Sequence, residues 1–384
     1  MKNKILIILS YLLIFFNSNL LGNESNNHLK IGLLAPLSGQ YKELGNSMLF
    51  SLQLALNEIG DKKVKIIPQD SGSDDKDMLY KAVKDLRSKD IRIVIGPINN
   101  KDFDEVKKFN DIIFISPSNI NPQFQQNIIS IGISFESQIL ALTKFIQKQK
   151  KEKTIILIPQ NEYTDMIENK LSKIEYKNYK IFKYNPDPKV LTGEIEILTN
   201  YSQRKKNLEL RKKLFEDKED EQSKRQLERL EQKYTLGDVN FDSVIIIDFG
   251  NSLKSVLTSL VFTDVDQEKV LFTTVNQWFD ESIFYENSVK KLYYPSINYK
   301  QFKKYKDNYI KTFKNSPGEI SILAYDALGL IYYVWKKNGK INSVNDFAFK
   351  GKIKGKIGTF SFQNKKIIQD LSIYKVGNNS FTKF

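Results

Sequence analysis

The sequence predicts an α/β fold of two units, each a mostly parallel sheet flanked by helices. Short β-branched runs alternate with longer amphipathic stretches from residue 30 to residue 274. Several runs are almost continuously apolar, the pattern of strands buried on both faces. The alternation begins afresh near residue 154, and 384 residues suffice for two domains of ordinary size.

Residues 30–34, 64–67, 91–95, 112–115 and 128–131 are the strand-like runs of the first unit. Between them, residues 44–59, 76–89 and 102–109 carry apolar side chains at helical spacing. A helical pattern at 135–149 follows the first unit's last run, and the second unit has strand-like runs at 154–158, 180–184, 243–247 and 270–274, with helical patterns at 163–174 and 253–262. Alternation of this kind argues for right-handed crossovers and parallel pairing. Residues 292–299, "LYYPSINY", read as a strand-like link, followed by helical patterns at 302–313 and 320–337. The tail over 351–376 reads as short antiparallel strands joined by turns.

Residues 203–234 stand apart, dense in both charge signs and without glycine or proline. Leu227, Leu230 and Tyr234 share one helical face, as do Leu210 and Leu214, with a break near 217–220. The pattern predicts a charged helical hairpin inserted in the second unit. It is either a solvated insertion or an exposed docking arm.

Composition narrows the chemistry. The chain has no cysteine, which removes disulfides, thiol nucleophiles, thiolate metal sites and an N-terminal lipid on cysteine. Its single histidine, His28, precedes the first strand, so neither a His-rich metal site nor His-based acid-base catalysis is expected. No cofactor, no metal and no enzymatic activity are expected. The net charge of +14 comes from lysines spread along the chain rather than from a block interleaved with aromatics, so no nucleic-acid partner is expected. "MKNK", an apolar stretch over 5–16 and a polar exit over 17–22 have the layout of a secretory signal peptide, placed at residues 1–22. The apolar stretch is shorter than the ~20 residues that span a bilayer, although an uncleaved anchor is the alternative. Export to a bacterial periplasm is the expected destination.

Ligands of open α/β sheets bind outside the carboxyl ends of the strands, beside helix N-termini whose N–H groups lack partners. The strand ends here are residues 36–39, 96–100, 116–119, 160–163, 248–251 and 276–278. They gather hydroxyls, amides, acids and aromatics. Ser38, Asn99, Asn100, Ser116, Ser118, Tyr163, Asp248 and Trp278 are therefore the candidate ligand-binding residues. Each has a plainer reading too: Ser and Asn as helix caps, Tyr163 and Trp278 as hydrophobic plugs, Asp248 as a cap or turn acceptor. "APLSGQYKELGNS" fits neither nucleotide-loop pattern, since no Lys-Ser/Thr pair follows its glycines.

That same stretch resembles the opening of leucine/isoleucine/valine-type periplasmic binding proteins, through Pro36, Leu37, Ser38, Gly39, Gly45 and Asn57. "VIGPINN" is similar to the family's second loop, and "NEYTD" lies where an aromatic commonly follows the first strand of the second lobe. "ISPSN", "GISFESQILALTKFI", "YNPDP", "FDSVIIIDFGNSL" and "NQWFDES", in that order, resemble the penicillin-binding protein activator branch most closely. The chain departs from the amino-acid-binding members in offering Asn99 and Asn100 where a hydroxyl usually meets the ligand carboxylate. It also lacks the cysteine that anchors the known activator.

The resemblance implies a two-lobed periplasmic-binding-protein-like fold with three crossovers and a cleft between the lobes. The first lobe would take residues 29–143 and 298–352, the second 144–297 and 353–384, with the hairpin at 203–234 in the second. It further implies a non-catalytic protein that binds a small polar or amino-acid-like ligand and delivers it to an ABC transporter permease. The alternative is a soluble regulator whose partner is a membrane-bound cell-wall synthase.

Overall fold

The computed structural model describes residues 28–119, 127–286, 291–356, 358–363, 366–377 and 379–384. The expected signal peptide lies outside the described residues.

Strand β1 (Leu29–Ala35) reads LKIGLLA, and five of its last six residues, Ile31 among them, are buried. It pairs in parallel with β2 (Val64–Asp70), Leu29 opposite Val64, and with β3 (Ile93–Ile95). Adding β4 (Ile113–Ser116) and β5 (Ile128–Ser130) gives a five-stranded sheet of order β2-β1-β3-β4-β5, parallel throughout. Helix α1 (Lys42–Ile59) ends at Gly60, whose φ of 64° is the left-handed cap that glycine adopts without strain. Helix α2 (Lys76–Ser88) starts on Asp75, whose carboxylate accepts from the Met78 N–H at 2.9 Å. A short α3 (Phe103–Val106) completes this round, and α4 (Phe135–Lys148), capped by Ser134, packs its Ile139, Leu142 and Ile146 with Ile156 and Ile245 of the second sheet.

The second sheet repeats the plan. Strands β6 (Thr154–Pro159), β7 (Tyr179–Tyr184), β8 (Ser243–Ile246), β9 (Leu271–Thr274) and β10 (Leu292–Ser296) run parallel in the order β7-β6-β8-β9-β10. This is the strand order of the first sheet over again. Its helices are α5 (Thr164–Ser172), α6 (Pro188–Leu198), α7 (Tyr201–Glu216), α8 (Glu221–Glu231) and α9 (Gly250–Phe262). Helices α7 and α8 pack on each other as a hairpin. Helix α6 is not among the helices expected above, although Asp187 followed by Pro188 is a recognisable helix start; Asp187 accepts from the Lys189 N–H at 3.0 Å.

Helices α10 (Tyr299–Phe313) and α11 (Ser321–Asn338) return to the first sheet and pack on α1. Their shared core holds Met48, Leu52, Ile322, Leu328 and Ile331, while α2 covers the opposite face with Leu79, Val83 and Leu86. A small antiparallel sheet follows, of β11 (Lys352–Lys354), β12 (Thr359–Gln363) and β13 (Lys366–Asp370). Then β14 (Ser372–Gly377) and β15 (Ser380–Lys383) join the second sheet antiparallel beside β10. The small sheet stays beside the first lobe: the Lys356 N–H donates to the Asp326 carboxylate and Gln369 Nε2 to the Ile131 carbonyl. The chain thus passes between the two larger sheets three times, at 131–134, at 297–298, and before β14.

Candidate functional site

A sheet of order 2-1-3-4-5 has its topological switch point between its first and third strands, and ligands settle in the crevice at their carboxyl ends. Here those places are the ends of β1 and β3 in one lobe and of β6 and β8 in the other. Two adjoining cavities lie there. The smaller, about 180 Å³, is lined by Asn99 and Asn100 after β3, Ser118 and Asn119 after β4, and Asn276 and Trp278 after β9. Leu323 of α11 and Ile320, which caps that helix, close it from the first lobe. The larger, about 320 Å³, has apolar walls of Phe135, Met166, Ile167, Ile247 and Val275, with Asn161, Tyr163, Asp248 and Lys170 around them. Asn119, Gln138 and Phe249 line both. Roomier hollows, of about 410 and 600 Å³, surround Arg204 at the opposite, amino edge of the second sheet.

Six of the eight sequence-predicted residues line the two cavities: Asn99, Asn100, Ser118 and Trp278 the smaller, Tyr163 and Asp248 the larger. Ser38 and Ser116 line neither. The Ser38 carbonyl accepts from Ser73 Oγ at 2.9 Å, and its hydroxyl and N–H turn toward Asp70. Burial raises the Asp70 carboxyl, but the Ser38 hydroxyl and the N–H groups of Gly72, Leu37 and Ser38 outweigh it and hold it below its ordinary value. Ser116 is fully buried; its Oγ donates to the Pro97 carbonyl at 2.6 Å and accepts from the Ser118 N–H at 3.1 Å. It ties the loops after β3 and β4 together.

Packing of these loops leaves no room for side chains at two glycines. A Cβ on Gly45 would stand 1.9 Å from the Pro36 carbonyl oxygen, and one on Gly132 would stand 2.1 Å from the Ser118 carbonyl oxygen. The first lets α1 rest on the β1 loop; the second lets the first crossover rest on the β4 loop.

Asn99 accepts from the Lys101 N–H at 3.0 Å and caps the turn that follows. The Asn100 amide has no partner among the described residues. Asp248 is buried and committed: its carboxylate accepts from the Tyr184 hydroxyl, from Ser252 Oγ at 2.5 Å and from the Phe249 N–H at 2.8 Å. Burial first, then the Asp248 charge, pushes the Tyr184 phenol well above its usual range. Tyr163, 41% exposed, stands at the rim, its phenol raised by the neighbouring Glu162.

Trp278 and Phe279 have φ of 50° and 60°, a left-handed backbone that bulky residues seldom adopt. The surroundings hold it. The Trp278 N–H donates to Asn276 Oδ1 at 3.1 Å, Asn276 Oδ1 also accepts from Ser296 Oγ at 2.8 Å, and Phe279 is buried against Tyr299, Tyr374 and Phe381. Strain of this kind persists only where the surroundings over-determine it.

Gln138, Asn119, Phe249 and Asn276 belong to the cavities but were not singled out from the sequence. The last three stand at strand ends already under suspicion. Gln138 does not; its signal is a polar residue on the inward face of α4, one turn after the crossover. Among the described residues no group of three or more His, Cys, Asp and Glu side chains could hold a metal ion.

Two sheets of repeated strand order, joined by three crossovers around a cleft, define the two-lobed fold of the periplasmic binding proteins. The sequence resemblance holds: residues 28–165 match the family model described as periplasmic binding protein. No curated protein matches the chain significantly in sequence. Among solved structures it is similar to the C-terminal domain of LpoA from Haemophilus influenzae, a regulator of PBP1A, with a TM-score of 0.60 and 12% identity over 92% of this chain and 99% of that one. It is similar as well to the branched-chain amino-acid binding protein LivJ of Streptococcus pneumoniae in complex with isoleucine, with a TM-score of 0.54 and 16% identity over 93% and 100%. A solute-binding protein of an ABC transporter from Rhodopseudomonas palustris, in complex with 3,4-dihydroxybenzoic acid, gives a TM-score of 0.59 and 13% identity over 93% and 96%. The fold is thus one used by solute-binding and by regulatory proteins. No helix among the described residues is long and apolar enough to cross a membrane.

Proposed function

We propose that this chain is a periplasmic solute-binding protein that closes on a small ligand between its lobes and presents it to a membrane transporter. One observation carries the reading. The carboxyl edges of both parallel sheets open on the same pair of cavities, and residues of both lobes line the smaller one. Asn99, Asn100, Ser118, Tyr163 and Trp278 are the ligand contacts; Ser38, Ser116 and Asp248 hold the loops that carry them. Hinge motion at the three crossovers closes the cleft. The chain has two tryptophans, and Trp335 is buried in α11, so Trp278 is a reporter of the cleft. A thermal-shift and fluorescence screen of small metabolites tests the reading. A true ligand at a hundredfold excess over its Kd adds about 2.7 kcal/mol of stability. A broad screen with no shift and no fluorescence change overturns it.

A second reading, a regulator of a penicillin-binding protein, is favoured by the hairpin. Leu210 and Leu214 on α7 and Tyr234 after α8 are 53%, 57% and 76% exposed, so apolar side chains stand in water on a protruding element. Capture of a peptidoglycan synthase that is lost in Leu210→Asp/Leu214→Asp supports it; unchanged capture removes the hairpin from that role.

A further inference from the structure

We infer that the cleft takes a ligand without an amino group: an acceptor-bearing polar end joined to an apolar body, neutral or carrying a carboxylate. The inference rests on the solute-binding reading above and names its ligand class. A zwitterionic amino acid buried between the lobes needs an unengaged carboxylate, because an ammonium left unpaired there costs several kcal/mol. The linings do not supply one.

The smaller cavity is lined by amides, a hydroxyl and apolar groups, with no acid or base among the described residues that line it. Among the described residues lining the larger cavity the only carboxylate is Asp248, three of whose acceptor positions are taken by Tyr184, Ser252 and the Phe249 N–H. Lys170, the only cation among the described residues lining it, is paired with Glu136 at 2.8 Å. Acids nearby face elsewhere. Asp74 lies behind Asn99, 3.5 Å from its Nδ2, and Glu162 stands against the Tyr163 hydroxyl, both outside the linings. No acidic residue occurs in the sequence between Asp111 and Glu136, so the whole stretch through the loop after β4 contributes none.

What the site offers instead is donors and apolar surface. The Asn100 amide and the Trp278 indole N–H have no protein partner among the described residues, and both border the smaller cavity. Phe135, Met166, Ile167, Ile247 and Val275 make the larger one a dry seat for an aliphatic or aromatic body. Donors at one end and hydrocarbon at the other suit a branched or aromatic acid, hydroxy acid or amide.

Matched pairs test this with the full chain: leucine against 4-methylpentanoate and 4-methylpentanamide, and phenylalanine against 3-phenylpropanoate and benzoate, by calorimetry and Trp278 fluorescence. The expected result is that, for at least one body, the compound without the amino group binds at least tenfold tighter than its amino acid. An Asn100→Asp variant, which places a carboxylate in the smaller cavity, is expected to narrow or reverse that preference. Amino acids binding as well as or better than their partners overturns the inference while leaving the solute-binding reading intact. Binding by no compound of this panel or of the wider screen overturns both.

Discussion

The Asn276 backbone N–H donates to Gln138 Oε1 at 2.8 Å, while Nε2 of the same glutamine donates to the Ile133 carbonyl at 3.0 Å. One buried side chain thus joins the first crossover to the loop that holds Trp278. Gln138→Ala removes both bonds and leaves a buried N–H and a carbonyl without partners, at about 1–3 kcal/mol for a group so stranded. A loss of roughly 2–4 kcal/mol in urea or thermal denaturation is expected, with weakened ligand response. A change under 0.5 kcal/mol would mean that water or a shifted backbone replaces the glutamine.

The Asp248 carboxylate works as a clamp between β7 and α9. It accepts from Tyr184 in one and from Ser252 and the Phe249 N–H at the start of the other. Asp248→Asn removes the charge from three hydrogen bonds and turns an amide donor toward a hydroxyl, so a loss of about 2–3 kcal/mol is expected. Tyr184→Phe should cost less, about 1–2 kcal/mol, because one acceptor loses one of several donors. The double variant should lose less than the sum, since both changes break the same contact. Strict additivity in denaturation midpoints would show that the two side chains act independently.

The clamp also illustrates what could be read from the sequence. The strands were legible because parallel strands buried on both faces are written as unbroken apolar runs: the run at 243–247 became β8 over Ser243–Ile246, and 154–158 became β6 over Thr154–Pro159. Strand ends follow from strands, so the neighbourhood of Asn99, Ser118, Tyr163 and Trp278 was legible too. Side-chain direction was not. Whether Asp248 faces a ligand or a helix N-terminus depends on Tyr184, 64 residues away, and whether Ser38 is available depends on Asp70 of β2. Gln138 carries no such signal, because its partners at Ile133 and Asn276 meet only once the second lobe is assembled. Trp278 was chosen as an aromatic at a strand end; its left-handed backbone has no signature in the residue itself.

That backbone makes its own prediction. Glycine adopts a φ of 50° freely, so Trp278→Gly relieves strain while losing the ring's packing near Phe302, 6.5 Å away between centroids. The two effects oppose each other, each on the order of 1–3 kcal/mol, and the melting midpoint should move little. Ligand-induced stabilisation should disappear. Retained stabilisation would remove Trp278 from the contacts.

Asp102, two residues beyond Asn100, is held in its protonated form more strongly than a free carboxyl. Burial is the main cause, followed by the charges of Asp74 and Glu105, and together they push it up to about 6 from 3.8 despite Lys76. Because the folded value is raised, the native chain binds more protons than the unfolded one between pH 3.8 and 6. Stability from this group is present at the acid side and falls as pH rises through that window. Solvent screening at this half-buried site limits the effect to on the order of 1 kcal/mol. Asp102→Asn is expected to be more stable than the parent at pH 7 and equal to it near pH 4, read from denaturation midpoints at both. A variant less stable at pH 7 would show that the carboxylate is needed in its charged form.

The hairpin depends on Arg204, a buried guanidinium near the start of α7. Its Nε donates to the Gly237 carbonyl at 3.0 Å, Nη1 to the Thr263 carbonyl at 3.0 Å, and Nη2 to Thr235 Oγ1 at 2.8 Å and to the Asp264 carbonyl at 2.7 Å. The planar fork therefore fastens the outgoing helix to the returning segment at 235–237 and to the carbonyls that end α9. Arg204→Met keeps the apolar stem and strands several of these acceptors, so a loss on the order of 3 kcal/mol is expected. Arg204→Lys should fall between, because one ammonium cannot reach acceptors on three segments at once. The loss should be local: amide exchange and tryptic cleavage near Lys218, between α7 and α8, should speed up while β6, β8 and α1 stay protected. Uniform acceleration across the chain would instead make Arg204 part of the global core, and no acceleration in Arg204→Met would show that α7 and α8 hold their place by helix packing alone.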